Sequence, residues 1–457
     1  MLSAVSSAVS AFWRRRPPSM PVRSLVSGNL RDLVDDSLNF YRRCEAHPAG
    51  IVQIRIYRRP LFVVTAPALI EEILTTQNKR FEKGIGLADL KPLFGDGLLT
   101  ADHDVWRAHR KVIGPHFPVS KLEASSRTIA DCTSDLLAGW QSGETRDVYR
   151  DMTRLGLRVV VRTLFGRDLP GADEQAARMV AVLQWCQKEL AHFGDDGKAR
   201  FDAAIAELDA FAGDVIEQLR ADPGDGADLV NTLLRAQRAN PAAVTDAHIR
   251  DQVVTMLLAG YEITATALAW TLYLLARHPA SAARLRDELD DALAEKPLAA
   301  LTPGDAPYLM QVVCESLRLY PPAHRISRRA TEAVQLGGYD FAAGTDFVVP
   351  QWAVQRSPRH YRNPESFAPE RWTPEMRGAL PRFAFFPFAG GPRRCIGESL
   401  AMRELLLIVG AIAHVFELSP ASAREILPYE GITLVPEGGA LPLRVRARPP
   451  ALARASA

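Results

Sequence analysis

No two cysteines in this chain are spaced as C-x-x-C, and the five present (Cys44, Cys132, Cys186, Cys314, Cys395) are scattered and odd in number. A disulfide framework and a structural zinc site are therefore excluded, and a reducing compartment is expected. Neither sign of charge is in excess: 55 basic against 53 acidic residues leave a net charge of +2, which excludes nucleic acid as the expected partner. No internal repeat, low-complexity linker or break in composition divides the 457 residues. Acidic residues are absent before Asp32. The weakly apolar start of MLSAVSSAVSAFWRRRPPSMPVRS is too short to cross a bilayer, which takes about 20 residues. Its arginines follow the apolar part, the wrong order for a secretory signal. A transit peptide, an interfacial anchor and a plain disordered arm stay open, and residues 1–30 are read as a flexible arm.

Elsewhere the patterns are mostly helical. IVQIRIYRRPLFVVT (51–65) alternates and turns at Arg59-Pro60, which predicts a hairpin. From Trp106 to His278 apolar residues and charges recur at helical spacing. Thr245-Asp246 caps a helix of some 30 residues that stops before His278-Pro279, and a second helix spans Pro307 to Leu319, ending at Tyr320-Pro321-Pro322. AVQLGGYDF and GTDFVVP are expected to pair around a glycine-rich turn, and ITLVPEGGALPLRV to form a last hairpin. The fold class is mainly α with a small β region (α+β), in one large domain over residues 31–450 with a tail at 451–457.

LLAGYEITATALAW, residues 257–270, sits in the longest apolar run. Glu262 is the one charged residue between Gln252 and Ala276. A glycine inside a helix costs ~1 kcal/mol relative to alanine, and a buried carboxylate costs more unless paired. Three readings remain open from this segment alone: a membrane span, a core helix with a polar defect, or a functional groove.

The most specific signal is FFPFAGGPRRCIGESL. Cys395 follows an extended loop and precedes a helix starting near Glu398. Gly390, Gly391 and Gly397 let the backbone pass close to a flat ligand, and Arg393 and Arg394 with the helix N-terminus favour a thiolate. Taken alone, an unreactive cysteine in a surface turn is the favoured reading. The pattern Phe388-x-x-Gly391-x-Arg393-x-Cys395-x-Gly397 resembles the haem-binding loop of the cytochrome P-450 superfamily. Glu315-x-x-Arg318 in CESLRLYPP with Arg371 in FAPERW resembles the family's charge cluster, and Trp106-x-x-x-Arg110 in DVWRAHRK its propionate-binding helix. The resemblance covers residues 50–445 and that of a soluble bacterial-type catalytic domain.

The resemblance implies haem b held between the long central helix and the cysteine loop, with Cys395 as axial thiolate to iron. It implies Phe388 beside the sulfur, with Trp106, Arg110, Arg328 and Arg393 at the propionates. Ala259-Gly260 would make room for dioxygen, and Glu262 would serve proton delivery. One position departs from the family's small-Gly-x-acid-Thr pattern: Ile263 stands where the threonine is usual, and Thr264 comes one place late. Thr264 is turned ~100° round the helix, where its hydroxyl can bond the Gly260 carbonyl.

The implied activity is monooxygenation of a hydrophobic small molecule. A haem-thiolate isomerase or dehydratase that needs no dioxygen is the alternative that Ile263 raises. Substrate contacts are expected from 84–94, 180–193, Tyr261, Ile263, Ala323 to Ile326 and Ile432. With no flavin or iron–sulfur motif, electrons must come from a separate ferredoxin or flavodoxin-type protein with its reductase, docking on Arg107, Lys111, Arg394 and Arg403. The protein is expected to be a cytoplasmic monomer without a transmembrane segment, peripheral to a membrane only if the N-terminal arm anchors it.

Overall fold

The computed structural model describes residues 16–117, 122–166, 195–223, 228–242 and 244–448. These divide into two compact units interleaved along the chain. The first takes the residues up to Leu90, His324–Ser366 and Arg377–Cys395; the second takes Lys91–Ala323, Phe367–Met376 and Ile396 onward.

The first unit is built on a mixed sheet. Strands β1 (Ile51–Ile56) and β2 (Arg59–Val64) form the expected hairpin, with Ile51 opposite Val64 and Ile54 opposite Leu61. Successive side chains point to opposite faces, so Ile51, Phe62 and Val64 enter one core while Val52, Ile54, Leu61 and Val63 enter another. The second core packs on helix α1 (Leu30–Glu45) through Phe40, Tyr41 and Cys44. Strand β3 (Phe81–Lys83), β5 (Ile326–Ala330) and β8 (Asp346–Val349) complete the order β1-β2-β8-β5-β3. Here the sequence reading needs correction. AVQLGGYDF closes on itself, β6 (Val334–Leu336) pairing with β7 (Tyr339–Phe341) around Gly337-Gly338. GTDFVVP instead supplies β8, which runs parallel to β2 and antiparallel to β5. Residues 16–29, assigned by sequence to a flexible arm, lie along β1: Met20 N–H donates to the Gln53 carbonyl at 2.8 Å and Gln53 N–H to that of Pro18 at 2.7 Å.

The second unit is helical: α2 (His103–Ile113), α3 (Leu122–Ala138), α4 (Val148–Phe165), α5 (Asp195–Ala221), α6 (Leu229–Ala239), α7 (Asp246–Arg277), α8 (Pro279–Glu295), α9 (Pro307–Leu319) and α10 (Glu398–Val415). Strands β4 (Thr145–Asp147), β9 (Phe416–Pro420) and β12 (Pro442–Ala447) make one small sheet, while β10 (Pro428–Glu430) pairs with β11 (Leu434–Pro436). The expected last hairpin is therefore absent, because its two halves, β11 and β12, join different sheets.

The long helix α7 begins where the sequence predicts. Thr245 Oγ1 accepts the His248 N–H while His248 Nδ1 accepts the Thr245 N–H, satisfying two of the orphan donors at the helix start. Helices α4, α5, α9 and α10 all pack on it. It is the one described helix long and apolar enough to cross a membrane, and 83% of its apolar window is buried in protein. Its apolarity is that of a core helix.

Gly260 has a packing reason as well as any role in a groove. A Cβ there would lie 2.9 Å from Val160 Cγ2 of α4, and one on Gly156 of α4 would lie 3.1 Å from the Tyr261 carbonyl oxygen. The two glycines let α4 and α7 touch almost backbone to backbone. Overpacking costs ~1–3 kcal/mol, against the ~1 kcal/mol that alanine gains over glycine in a helix. Gly260→Ala is therefore expected to lower the thermal midpoint, and Val160→Ala to recover part of the loss in the double variant. A Gly260→Ala protein as stable as the parent would show that the contact relaxes freely.

Candidate functional site

From Gln252 to Ala276, α7 is buried at every residue except Ala259, Gly260 and Ile263. At 100° per residue these three share one narrow face. The helix thus opens along a single stripe. Glu262 and Thr264 flank that stripe on opposite sides, and both are buried. Thr264 Oγ1 donates to the Gly260 carbonyl at 3.1 Å, the back-bond its position suggests. Glu262 Oε1 accepts from Thr433 Oγ1, in the β10–β11 turn, at 2.9 Å. Tyr261, expected against substrate, is instead fully buried toward α4. Its phenol is pushed well above the ordinary range by burial, then by the Glu262 carboxylate.

Trp106 and Arg110 lie one turn apart on α2. Two neighbouring residues at the start of α7 place the segment leading into α2 and α2 itself. Asp251 accepts the Asp96 N–H at 2.8 Å. Gln252 accepts the Leu98 N–H at 3.1 Å and bonds the His109 ring. Burial, then the nearby His248, holds the His109 imidazole below its ordinary pKa.

The cysteine loop is shaped inside the first unit. Gly391 has φ +67°, and a Cβ there would fall 1.9 Å from the Leu74 carbonyl oxygen; one on Gly390 would strike the Phe383 ring at 2.3 Å. Both glycines are sterically required. The segment leading in is held at Phe386, whose N–H donates to Gln355 Oε1 at 3.0 Å and whose carbonyl accepts from Gln351 Nε2 at 2.6 Å. Cys395 N–H then donates to the Phe388 carbonyl at 3.0 Å, closing the loop around Arg393. Sequence reasoning missed Leu74, Phe383, Gln351 and Gln355, because nothing local marks a partner that distant in the chain. In the second unit Gly397 caps α10 at φ −89°, and a Cβ on it would meet only Phe117, at 3.9 Å. Protein packing alone does not demand glycine there.

Of the cysteines in the described residues, Cys44, Cys132 and Cys314 are buried and Cys395 alone is exposed. Burial pushes the Cys44 thiol up to about 12. Among the described cysteines, only Cys395 has its sulfur open to a ligand. Among the basic residues near the site, Arg329 is engaged by Asp346 at 3.0 Å, whereas the neighbouring Arg328 is buried and donates to the Ser327 carbonyl at 2.8 Å. The expected donor-docking set is thinner than the sequence suggests. Arg403 gives its guanidinium to the Leu301 carbonyl and Arg107 pairs with Asp104, while Lys111 and Arg394 are exposed. Segment 180–193 lies outside the described residues, and within 323–326 His324 is buried while Arg325 is exposed.

The charge cluster is the most completely satisfied group. The Glu315 carboxylate, with no exposure, accepts from Arg318 Nε and Nη2 at 2.8 Å each and from Arg371 Nε at 2.9 Å. It also accepts from the Ala368 N–H at 3.0 Å and the Trp372 indole at 2.9 Å. The backbone and indole donors were not foreseen, although Trp372 follows Arg371 directly. By contrast Glu404 of α10 is buried with Oε2 meeting no hydrogen-bond partner among the described residues, and burial pushes its carboxyl up to about 8.

An exposed thiol in a glycine-shaped loop, with the cationic residues Arg328 and Arg393 in the same unit, fits a flat anionic macrocycle bound through sulfur. The chain matches the family model described as Cytochrome P450 over residues 17–442. It is 31% identical to cyclooctatin synthase of Streptomyces melanosporofaciens, covering 96% of each chain. It is 32% identical to cyclooctat-9-en-7-ol 5-monooxygenase of the same organism, covering 88% of this chain and 89% of that one. Pentalenene oxygenase of Streptomyces avermitilis is 29% identical over 93% of this chain and 96% of its own. Among solved structures, the haem domain of cytochrome P450DA superposes with a TM-score of 0.83 at 28% identity, covering 96% of this chain and 99% of that one.

Removing one member of a buried charge cluster strands the others at ~3–5 kcal/mol. Glu315→Ala is therefore expected to abolish recovery of haem-loaded protein, read as Soret absorbance per mole of soluble chain. Trp372→Phe removes one neutral donor and should cost less, ~1–3 kcal/mol. Equal haem loading in all three proteins would contradict the role of the cluster.

Glu404 predicts a pH dependence. Its folded pKa lies above the unfolded carboxyl value, so the folded state holds a proton that the unfolded state releases, and stability falls as pH rises. The thermal midpoint should decline from about pH 4.5 to about 8 and then level, the upper bound being the raised folded value. Glu404→Gln should flatten that slope; an unchanged slope would place the titration elsewhere.

Proposed function

The chain belongs to the cytochrome P450 family and is a haem-thiolate monooxygenase, and on that premise we propose that it oxygenates a cyclic, largely hydrocarbon terpene. The exposure of Cys395 alone among the described cysteines carries the assignment of the site. Haem bound through a cysteine thiolate supplies the reductive activation of dioxygen and the cleavage of its O–O bond.

The residues that would hold haem b are Cys395 at iron, Phe388 beside the sulfur, and Trp106, Arg110, Arg328 and Arg393 at the propionates. Gly391 and Gly397 keep the backbone near Cys395 free of side chains. Ala259 and Gly260 provide the shallow part of the open stripe on α7, and Ile263 the apolar wall that excludes water from the reacting carbon. Glu262, the one charged residue between Gln252 and Ala276, is the residue that holds and passes a proton. The Thr264 hydroxyl already donates to the Gly260 carbonyl, which argues against the catalytic part its position first suggested.

The substrate class rests on the apolar character of Ile263 and Ile432 and on the names of relatives that act on cyclooctat-9-en-7-ol and pentalenene. One oxygen atom enters a C–H bond and the other leaves as water. The balance takes two electrons and two protons, with NAD(P)H as source through a ferredoxin or flavodoxin-type donor and its reductase. The exposed Lys111 and Arg394 are the cations that an acidic donor would meet.

Ile263 on the open stripe is the observation that favours the second reading, an isomerase or dehydratase independent of dioxygen. Turnover decides between them. Pentalenene and related cyclic terpenes incubated under ¹⁸O₂ with NAD(P)H and a generic redox pair should yield product carrying one labelled oxygen, with none formed when either is withheld. Product formed at full rate without dioxygen and reductant would select the second reading.

A further inference from the structure

We infer that Thr433 is a positioning residue for the reaction: it supplies from the β10–β11 turn the hydroxyl that holds Glu262, in place of one at position 263 of the helix. The inference rests on the monooxygenase reading above and deepens its proton-handling site.

Helix geometry makes the case first. Ile263 carries no hydroxyl, and Glu262 and Thr264 are two residues apart, ~200° round the helix, so they cannot face each other. Thr264 spends its proton on its own helix. Thr433 Oγ1, in contrast, donates to Glu262 Oε1 at 2.9 Å, and both residues are nearly inaccessible, at 3% and 6% exposure. A hydroxyl is both donor and acceptor. While donating to the carboxylate it can still accept, so it orients Glu262 without closing a proton path.

The turn that presents Thr433 is fixed on several sides. Leu434 N–H donates to the Pro322 carbonyl at 3.0 Å, and Trp270 Nε1 of α7 donates to the Leu434 carbonyl at 2.7 Å. Trp270 itself stacks on Tyr320 at 4.2 Å, just beyond α9. Two side chains of α7, eight residues apart, thus pin consecutive residues of one turn. Tyr149 and Tyr261 lie near the same carboxylate, and burial, then Glu262, raises both phenols, so neither brings a competing charge. Ile432, partly exposed beside Thr433, links the apolar contact expected for substrate to the residue that aims the acid.

The test uses the haem-loaded full-length chain as parent, Thr433→Val, Thr433→Ser and Glu262→Gln. Each is supplied with NAD(P)H and a generic redox pair, without organic substrate. The ratio of NAD(P)H to dioxygen consumed, and the peroxide released, report how well protons reach reduced oxygen. Thr433→Val should raise the peroxide share several-fold and change the solvent isotope effect on NAD(P)H oxidation, with both restored by Thr433→Ser. Urea midpoints of Thr433→Val, Glu262→Gln and their double variant give a readout independent of activity and should be non-additive. Unchanged peroxide share in Thr433→Val, or strictly additive midpoints, would overturn the inference. A parent that consumes neither NAD(P)H nor dioxygen with a competent donor would overturn the monooxygenase reading instead, leaving the midpoints to decide the contact.

Discussion

A helix buried nearly all the way round must be met by protein at every position, and from Gln252 to Ala276 α7 meets that demand at all but three residues. The packing of the second unit follows from this constraint. Helix α4 comes close because Gly156 and Gly260 remove the side chains that would keep it away. Trp270 draws in the β10–β11 turn, and Asp251 with Gln252 set the approach to α2. What remains partly open is Ala259, Gly260 and Ile263, and of these Gly260 also carries the close approach of α4.

Charge is managed on the same principle. Glu315 remains wholly buried because five donors meet its two oxygens, from α9 and from the 368–372 segment. Glu404 Oε2 meets no hydrogen-bond partner among the described residues, and burial pushes its carboxyl up to about 8. Glu262 lies between these cases, near two raised phenols and held by Thr433.

Much of this was legible in the sequence wherever the signal is local. The Thr245 cap, the hairpin at 51–64, the helix stopped by Tyr320-Pro321 and the glycine-arginine loop at Cys395 are all written within a dozen residues. Glu315 and Arg318 sit one helical turn apart, so their pairing was readable too. Contacts set by the path of the chain were not. β8 chose β2 and β5 over the neighbouring β7, and β11 and β12 went to different sheets, because strand pairing is decided by which edges the fold brings together. Gly391 is explained by Leu74, and Glu262 by Thr433, 171 residues away. The reading of Gly260 as room for dioxygen missed Val160 for the same reason.

The proposed function stands on Cys395 providing a thiolate to haem iron, since it alone of the described cysteines is exposed and Gly390 and Gly391 shape its loop. The direct measurement is the absorption spectrum of the reduced, carbon monoxide-bound protein. The wild-type chain should show the red-shifted Soret band that a cysteine thiolate gives, and Cys395→Ala should lack it even where haem is retained. A wild-type band at the position given by a nitrogen ligand, or a red-shifted band that survives in Cys395→Ala, would contradict the account.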